Sequence, residues 1–281
     1  MGVFLKLLIP VVCLAGLAYA SVEPSSDFSH FEQDLLSKSY TAVPFGRSQE
    51  EIAEVMAAFY DFLALDQQTL ANCKSKLDSK SRRSDLGYEK RESSGSHFDD
   101  KEFFHYHPAL WEEMSVSMHE NPVIYKFITR AHLMWEAARS AVQLPLAHLE
   151  TRYPGTRIPY LVNNKFILRF LRYSPAKIKG ELLAKGHFDA GSMTLAIAES
   201  APGLRMRHSS GTMQEVTHEE GRALFFLAST FQKQVNDSHF HPAWHDVVRK
   251  SENNEVRWAL VFFCEAPNVL PPSWEETHTA S

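Results

Sequence analysis

From Lys165 onward the chain breaks into short β-prone runs: "KFILRFLRYS", "SMTLAIAES", "GLRMRHS", "MQEVTH", "RALFFLAS", "HDVVRK" and "VRWALVFF", each bounded by turn residues. Short strands at this fairly even spacing point to a sandwich or barrel. The first half reads as helical. "SQEEIAEVMAAFYDFLAL" opens with Ser48 as a helix cap and Glu50 and Glu51 in the first turn. Ile52, Val55, Met56, Phe59 and Phe62 or Leu63 then recur at helical spacing. A second short helix is expected from Gln67 to Lys76. "SKSRRSDLGYEKRESSGSHFDD", with Gly87 and Gly95, reads as a long polar loop. "NPVIYKFITRAHLMWEAARSAVQLPLAHLE" begins with Asn121 as cap and Pro122 at the first helical position, then runs helical for several turns. Its aromatics Tyr125, Phe127 and Trp135 are expected in the core.

The amino terminus has its own signature. "MGVFLKLLIPVVCLAGLAYA" carries an early Lys6, an apolar run from Leu7 to Leu17, and Ala18-Tyr19-Ala20. That is the pattern of a secretory signal peptide over residues 1–20, and the run is short for a membrane span. The expected address is the secretory pathway, extracellular or periplasmic, with a signal anchor as the alternative and no stable membrane insertion once the peptide is cleaved. Cys13 would leave with it. Cys73 and Cys264 would remain, to pair in an oxidising compartment or to serve as small buried residues.

Composition narrows the function. With 44% hydrophobic and 22% charged residues, 281 residues can build a sizeable core. The net charge of −5 and the lack of a basic stripe give nucleic-acid binding no electrostatic support. Nothing in the sequence speaks to oligomeric state.

Within "LLAKGHFDAGSMTLAIAES", His187 and Asp189 stand two residues apart in an apolar, strand-like context. Alternation would face them together and turn Phe188 away. Such a pair is either a satisfied polar couple or part of a metal site, and a facial triad needs a third ligand from elsewhere. "NDSHFHPAWHDVVRK" offers His245 beside a β-branched run. Twelve residues on, Arg257 enters an apolar strand, where a guanidinium needs an anionic partner. Tyr173, in "RFLRYSP", could donate its hydroxyl to the same anion. His208, His218, His239 and His241 read as surface or loop residues.

The order Tyr173, His187-x-Asp189, His245, Arg257 resembles the non-haem Fe(II), 2-oxoglutarate-dependent dioxygenases, in particular their isopenicillin N synthase-like branch. "GHFDAGSMTL" and "APGLRMR" are similar to two of that family's strands, and Asn236 stands nine residues before His245, close to the family interval. "SDLGYEKRESSGSHFDDKEFFHY" resembles its G-Y followed by D-x-K-E-x-F region. The resemblance implies a mainly β fold with a helical N-terminal half: a double-stranded β-helix (jelly roll) core flanked by helices. It implies an N-terminal region over 21–160, a jelly-roll core over 161–270 and a tail over 271–281. His187, Asp189 and His245 would hold Fe(II), Arg257 and Tyr173 would bind 2-oxoglutarate, and dioxygen and a small organic substrate would complete the reaction.

One departure stands out. The family's arginine motif is R-x-S, whereas this chain reads Arg257-Trp258-Ala259. A lost hydrogen bond to a charged acceptor costs roughly 1.5–3 kcal/mol. A secreted enzyme of this kind would also need a reductant such as ascorbate to keep its iron Fe(II). Two alternatives follow: an oxidase of the synthase type that needs no 2-oxo acid, or a catalytically silent jelly-roll binding protein.

Overall fold

The computed structural model describes residues 30–77, 85–92, 100–157, 160, 165–173, 180–250 and 256–265. The proposed signal peptide, Cys13 and the tail over 271–281 lie outside the described residues. Two antiparallel sheets pack face to face. The larger runs β1 (Thr41–Pro44), β10 (Arg222–Leu227), β7 (Met193–Glu199), β12 (Trp258–Cys264), β5 (Phe166–Tyr173), β4 (Lys101–Tyr106), β3 (Asp85–Arg91), β2 (Lys74–Lys76). The smaller runs β6 (Leu182–His187), β11 (His245–Val248), β8 (Leu204–Arg207), β9 (Met213–Glu215). The helices among the described residues are α1 (Phe31–Lys38), α2 (Gln49–Leu63), α3 (Gln67–Asn72), α4 (Leu110–Glu113), α5 (Ser115–Glu120), α6 (Pro122–Ala141), α7 (Gln143–Arg152) and α8 (Phe231–Val235). This is the expected jelly roll flanked by helices.

Alternation lets the central strands serve two cores. On β5, Leu168 and Phe170 face the helices while Leu171 and Tyr173 face the smaller sheet. On β12, Leu260, Phe262 and Cys264 face the helices and Ala259 the smaller sheet. The helices reach their places through ordinary local chemistry. Ser48 Oγ accepts from Glu51 N–H at 3.2 Å and Ser48 N–H donates back to the Glu51 carboxylate at 2.9 Å, a complete capping box on α2. Asn121 Oδ1 accepts from Val123 N–H at 3.0 Å, and Pro122 starts α6. The two helices then press Phe59, Phe62 and Phe127 onto Phe104 and Phe170 of the larger sheet, with Phe127 centroids 5.0 Å from Phe104 and 5.1 Å from Phe170. Burying each such side chain contributes roughly 1.5–3 kcal/mol. Trp135 Nε1–H donates to Phe166 O at 2.8 Å and ties α6 to β5.

Four details differ from the sequence reading. The first half is not purely helical: β1 to β4 come from it, β1 pairing with β10 and β4 with β5. The supposed polar loop contains β3, which buries only Leu86, Gly87 and Tyr88 and so shows no alternation. Gly87 adopts φ +82, and a Cβ there would sit 1.9 Å from Cys73 O, which accepts from Tyr88 N–H. The helix expected from Gln67 to Lys76 stops at Asn72, and Lys74–Lys76 pairs with β3 instead. Tyr125 is 53% exposed, on the outer face of α6. Cys73 and Cys264 are both buried and unbridged.

Candidate metal centre and its cavity

A cavity between the sheets is lined by residues from both. On its smaller-sheet side His187 lies opposite His245 in register, and Ala184 lies opposite Val247. Three steps along β6 therefore match two along β11, a bulge that turns both Ala184 and His187 toward the cavity. Gly186 sits in that bulge. A Cβ on it would stand 2.6 Å from the Trp244 ring, so glycine lets Trp244 close against the strand. β6 ends at His187. Asp189 returns to the cavity, while Phe188 packs edge-on against Trp244 at 4.9 Å.

His187, Asp189 and His245 offer one ligand atom each, all within 4.8 Å of one another. Asp189 Oδ1 lies 3.6 Å from His187 Nε2 and 3.8 Å from His245 Nε2. His187 Nδ1 is 2.8 Å from Lys185 O, and His245 Nδ1 is 3.0 Å from Ala243 O. A carbonyl only accepts, so each Nδ1 carries a hydrogen, and Nε2 is the ring nitrogen that each histidine turns to the cluster. Thr194 Oγ1–H donates to Asp189 Oδ2 at 2.6 Å and leaves Oδ1 for the histidines. Ser229 N–H holds the Asp189 carbonyl at 2.9 Å, fixing the turn itself.

The electrostatics favour a cation. Burial raises the Asp189 carboxyl, but His245, His187 and the Thr194 hydroxyl together outweigh it and hold the group well below the usual carboxylate range. Burial, and after it the neighbouring His187, lower His245 below the ordinary histidine value. Two imidazole nitrogens and one carboxylate oxygen suit a divalent first-row metal, and this donor set in particular suits non-haem Fe(II).

Arg257 and Tyr173 line the same cavity, so all five residues singled out in the sequence meet there. Arg257 is buried with its guanidinium 5.2 Å from the centre of the Tyr173 ring. It already has an internal partner: Nη2 donates to the Glu199 carboxylate, Nε donates to Ala201 O at 3.1 Å, and Nη1 is buried with no partner among the described residues. Glu199 was not foreseen, and neither were Lys101, Arg169 and His218, which also line the cavity. His218 lies in a loop, as expected, but one that reaches the cavity. Its Nδ1 lies 3.5 Å from Glu199 Oε1 and its Nε2 3.1 Å from Ala196 O. Arg169 is held by His105, whose Nε2 accepts from Arg169 Nε–H at 2.7 Å, and between the Phe103 and Phe263 rings at 5.0 and 4.6 Å. Burial, and after it Arg169, lower His105 well below the ordinary histidine value, consistent with an accepting nitrogen. The period of two in "RFLRY" does place Arg169 on the Tyr173 face; no comparable signal marks Lys101 or His218.

No protein-family model and no curated protein matches the chain. Solved structures do. A rice dioxygenase for auxin oxidation is similar at 16% identity and TM-score 0.65, covering 89% of this chain and 83% of its own. A candidate 2OG-Fe(II) oxygenase family protein from Caulobacter crescentus is similar at 19% identity and TM-score 0.65, covering 86% and 83%. An oxygenase structure from Shewanella oneidensis is similar at 17% identity and TM-score 0.64, covering 86% and 87%. At these identities the likeness is one of fold: the chain has the helix-flanked double-stranded β-helix architecture of these oxygenase structures.

Proposed function

We propose that this protein is an Fe(II)-dependent oxygenase that uses a 2-oxo acid to oxidise a small organic substrate. The observation that carries the reading is the convergence of His187 Nε2, His245 Nε2 and Asp189 Oδ1 in a cavity that also holds a buried arginine. When bound, the iron supplies dioxygen activation. The chain's part is positioning. The Lys185 and Ala243 carbonyls keep both histidines in the ligating tautomer, and Thr194 aims the carboxylate. Tyr173 packs against Arg257 and steadies the guanidinium at the other end, where it would meet the tail of the oxo acid. Leu171, Ala196, Val247 and Val261 also line the cavity and give it apolar wall that disfavours water.

The order of the five residues supports placement in the isopenicillin N synthase-like branch. The Glu199–Arg257 pair favours the second reading, an oxidase that needs no 2-oxo acid, because the anion fork is partly filled. Residues 1–20 would direct the protein into the secretory pathway, with ascorbate maintaining Fe(II); no described helix is long and apolar enough to cross a membrane. The test is oxygen uptake by the purified chain with Fe(II), ascorbate and excess 2-oxo acid. Uptake that requires both metal and oxo acid, with matching release of carbon dioxide, is the expected result. Metal binding without any oxo-acid-dependent uptake would move the assignment to the second reading.

A further inference from the structure

Two departures from the sequence expectation prove to be neighbours. Ala259 replaces the expected serine, and the residue directly across from it on β7 is Glu199. Glu199 reaches the cavity only because β7 carries a bulge: Val261 pairs with Ala196, Leu260 with Ala198 and Ala259 with Glu199, so Ile197 is the extra residue. Unbroken alternation from Thr194 and Ala196 would have sent Glu199 toward the helices with Leu195 and Ile197. The bulge instead aims it at Arg257. Both side chains are largely buried, at 7% and 8% exposure, so this is an internal ion pair within the cavity. Of the guanidinium's donors, Nε is committed to Ala201 O and Nη2 to Glu199, which leaves Nη1 for a ligand.

Resting on the oxo-acid reading above, we propose that Glu199 is a specificity residue that disfavours a second carboxylate at the Arg257 end. The cavity then selects 2-oxo acids with an uncharged tail over the dicarboxylate 2-oxoglutarate. A bidentate fork is what makes arginine a strong carboxylate receptor, and here that fork is shared. Glu199 and Arg257 line the same cavity in direct contact, so a carboxylate that reaches the guanidinium also meets Glu199. Like charges brought together in a buried site act as repulsive selection. Nη1, without a partner among the described residues, suits a single neutral acceptor, and Ala259, which lines the cavity without a hydroxyl, suits an apolar tail.

The experiment is anaerobic calorimetry on the full chain loaded with Mn(II), titrated with 2-oxoglutarate and separately with 2-oxobutyrate, for the native protein, Glu199→Gln and Glu199→Ala. The variants should bind 2-oxoglutarate about tenfold or more tighter than the native chain, while 2-oxobutyrate changes by less than about threefold. Glu199→Gln keeps the side chain's shape and serves if the alanine variant does not fold. Native binding of 2-oxoglutarate that is unchanged or weakened in both variants would overturn the proposal and leave the oxo-acid reading standing. Metal binding with no oxo acid bound by any form would overturn both.

Discussion

The two ends of the cavity solve opposite problems. At the metal end, three donors lie together, and each is oriented by a backbone carbonyl or a hydroxyl. At the arginine end, the cation has already been given a carboxylate by its own fold. The first arrangement is incomplete without an added positive charge. The second is largely complete, and a ligand arriving there competes with the protein. The cavity is thus prepared for a metal more fully than for a second anion.

Removing a ligand at the metal end should have the largest effect. Asp189→Ala is expected to weaken Fe(II) or Mn(II) binding by more than about a hundredfold, beyond what orienting partners alone provide; metal titration by calorimetry checks it. Near-native affinity in that variant would erase the contrast between the two ends. Next comes the ion pair. Arg257→Leu should destabilise the fold by about 3–5 kcal/mol because Glu199 is left buried without its guanidinium, and adding Glu199→Leu should recover part of that loss. Urea unfolding of both singles and the double measures the coupling. Additive losses would mean that the pair is not an internal unit.

Thr194→Val removes the hydroxyl that fixes Asp189 Oδ2 at 2.6 Å. Metal affinity is expected to fall by about 10–100-fold with little change in the affinity for an oxo acid at the arginine end. The smallest effect is a control remote from both ends: Ser48→Ala breaks the capping box of α2 and should cost about 1 kcal/mol of stability, leaving metal affinity unchanged.

The same contrast explains what could be read from the sequence. His187 and Asp189 were legible because a polar pair two apart in an apolar stretch is costly unless used, although β6 ends at His187 and Asp189 follows it in the turn, and His245 because it begins a strand with a β-branched run. Arg257 was legible as a guanidinium in need of an anion. The identity of that anion was not, because a bulge at Ile197 changes which face Glu199 occupies and no residue in "TLAIAES" announces it. Pattern arguments assume an unbroken period of two, and both bulged strands at this site violate it. β3 was hidden for a related reason: its buried centre is Leu86-Gly87-Tyr88 and its ends are charged, so burial there follows sheet pairing and the close approach at Gly87 rather than alternation. The helices α2 and α6, by contrast, carry local caps and a long periodic face, and their starts fall where the sequence places them.

The most direct measurement is an anaerobic titration of Fe(II) into the protein, with and without a saturating 2-oxo acid, followed in the visible region, with His187→Ala alongside. The account predicts an absorption band that needs both additions and is absent in the variant. Failure of the native chain to bind iron, or a band that persists unchanged in His187→Ala, would contradict it.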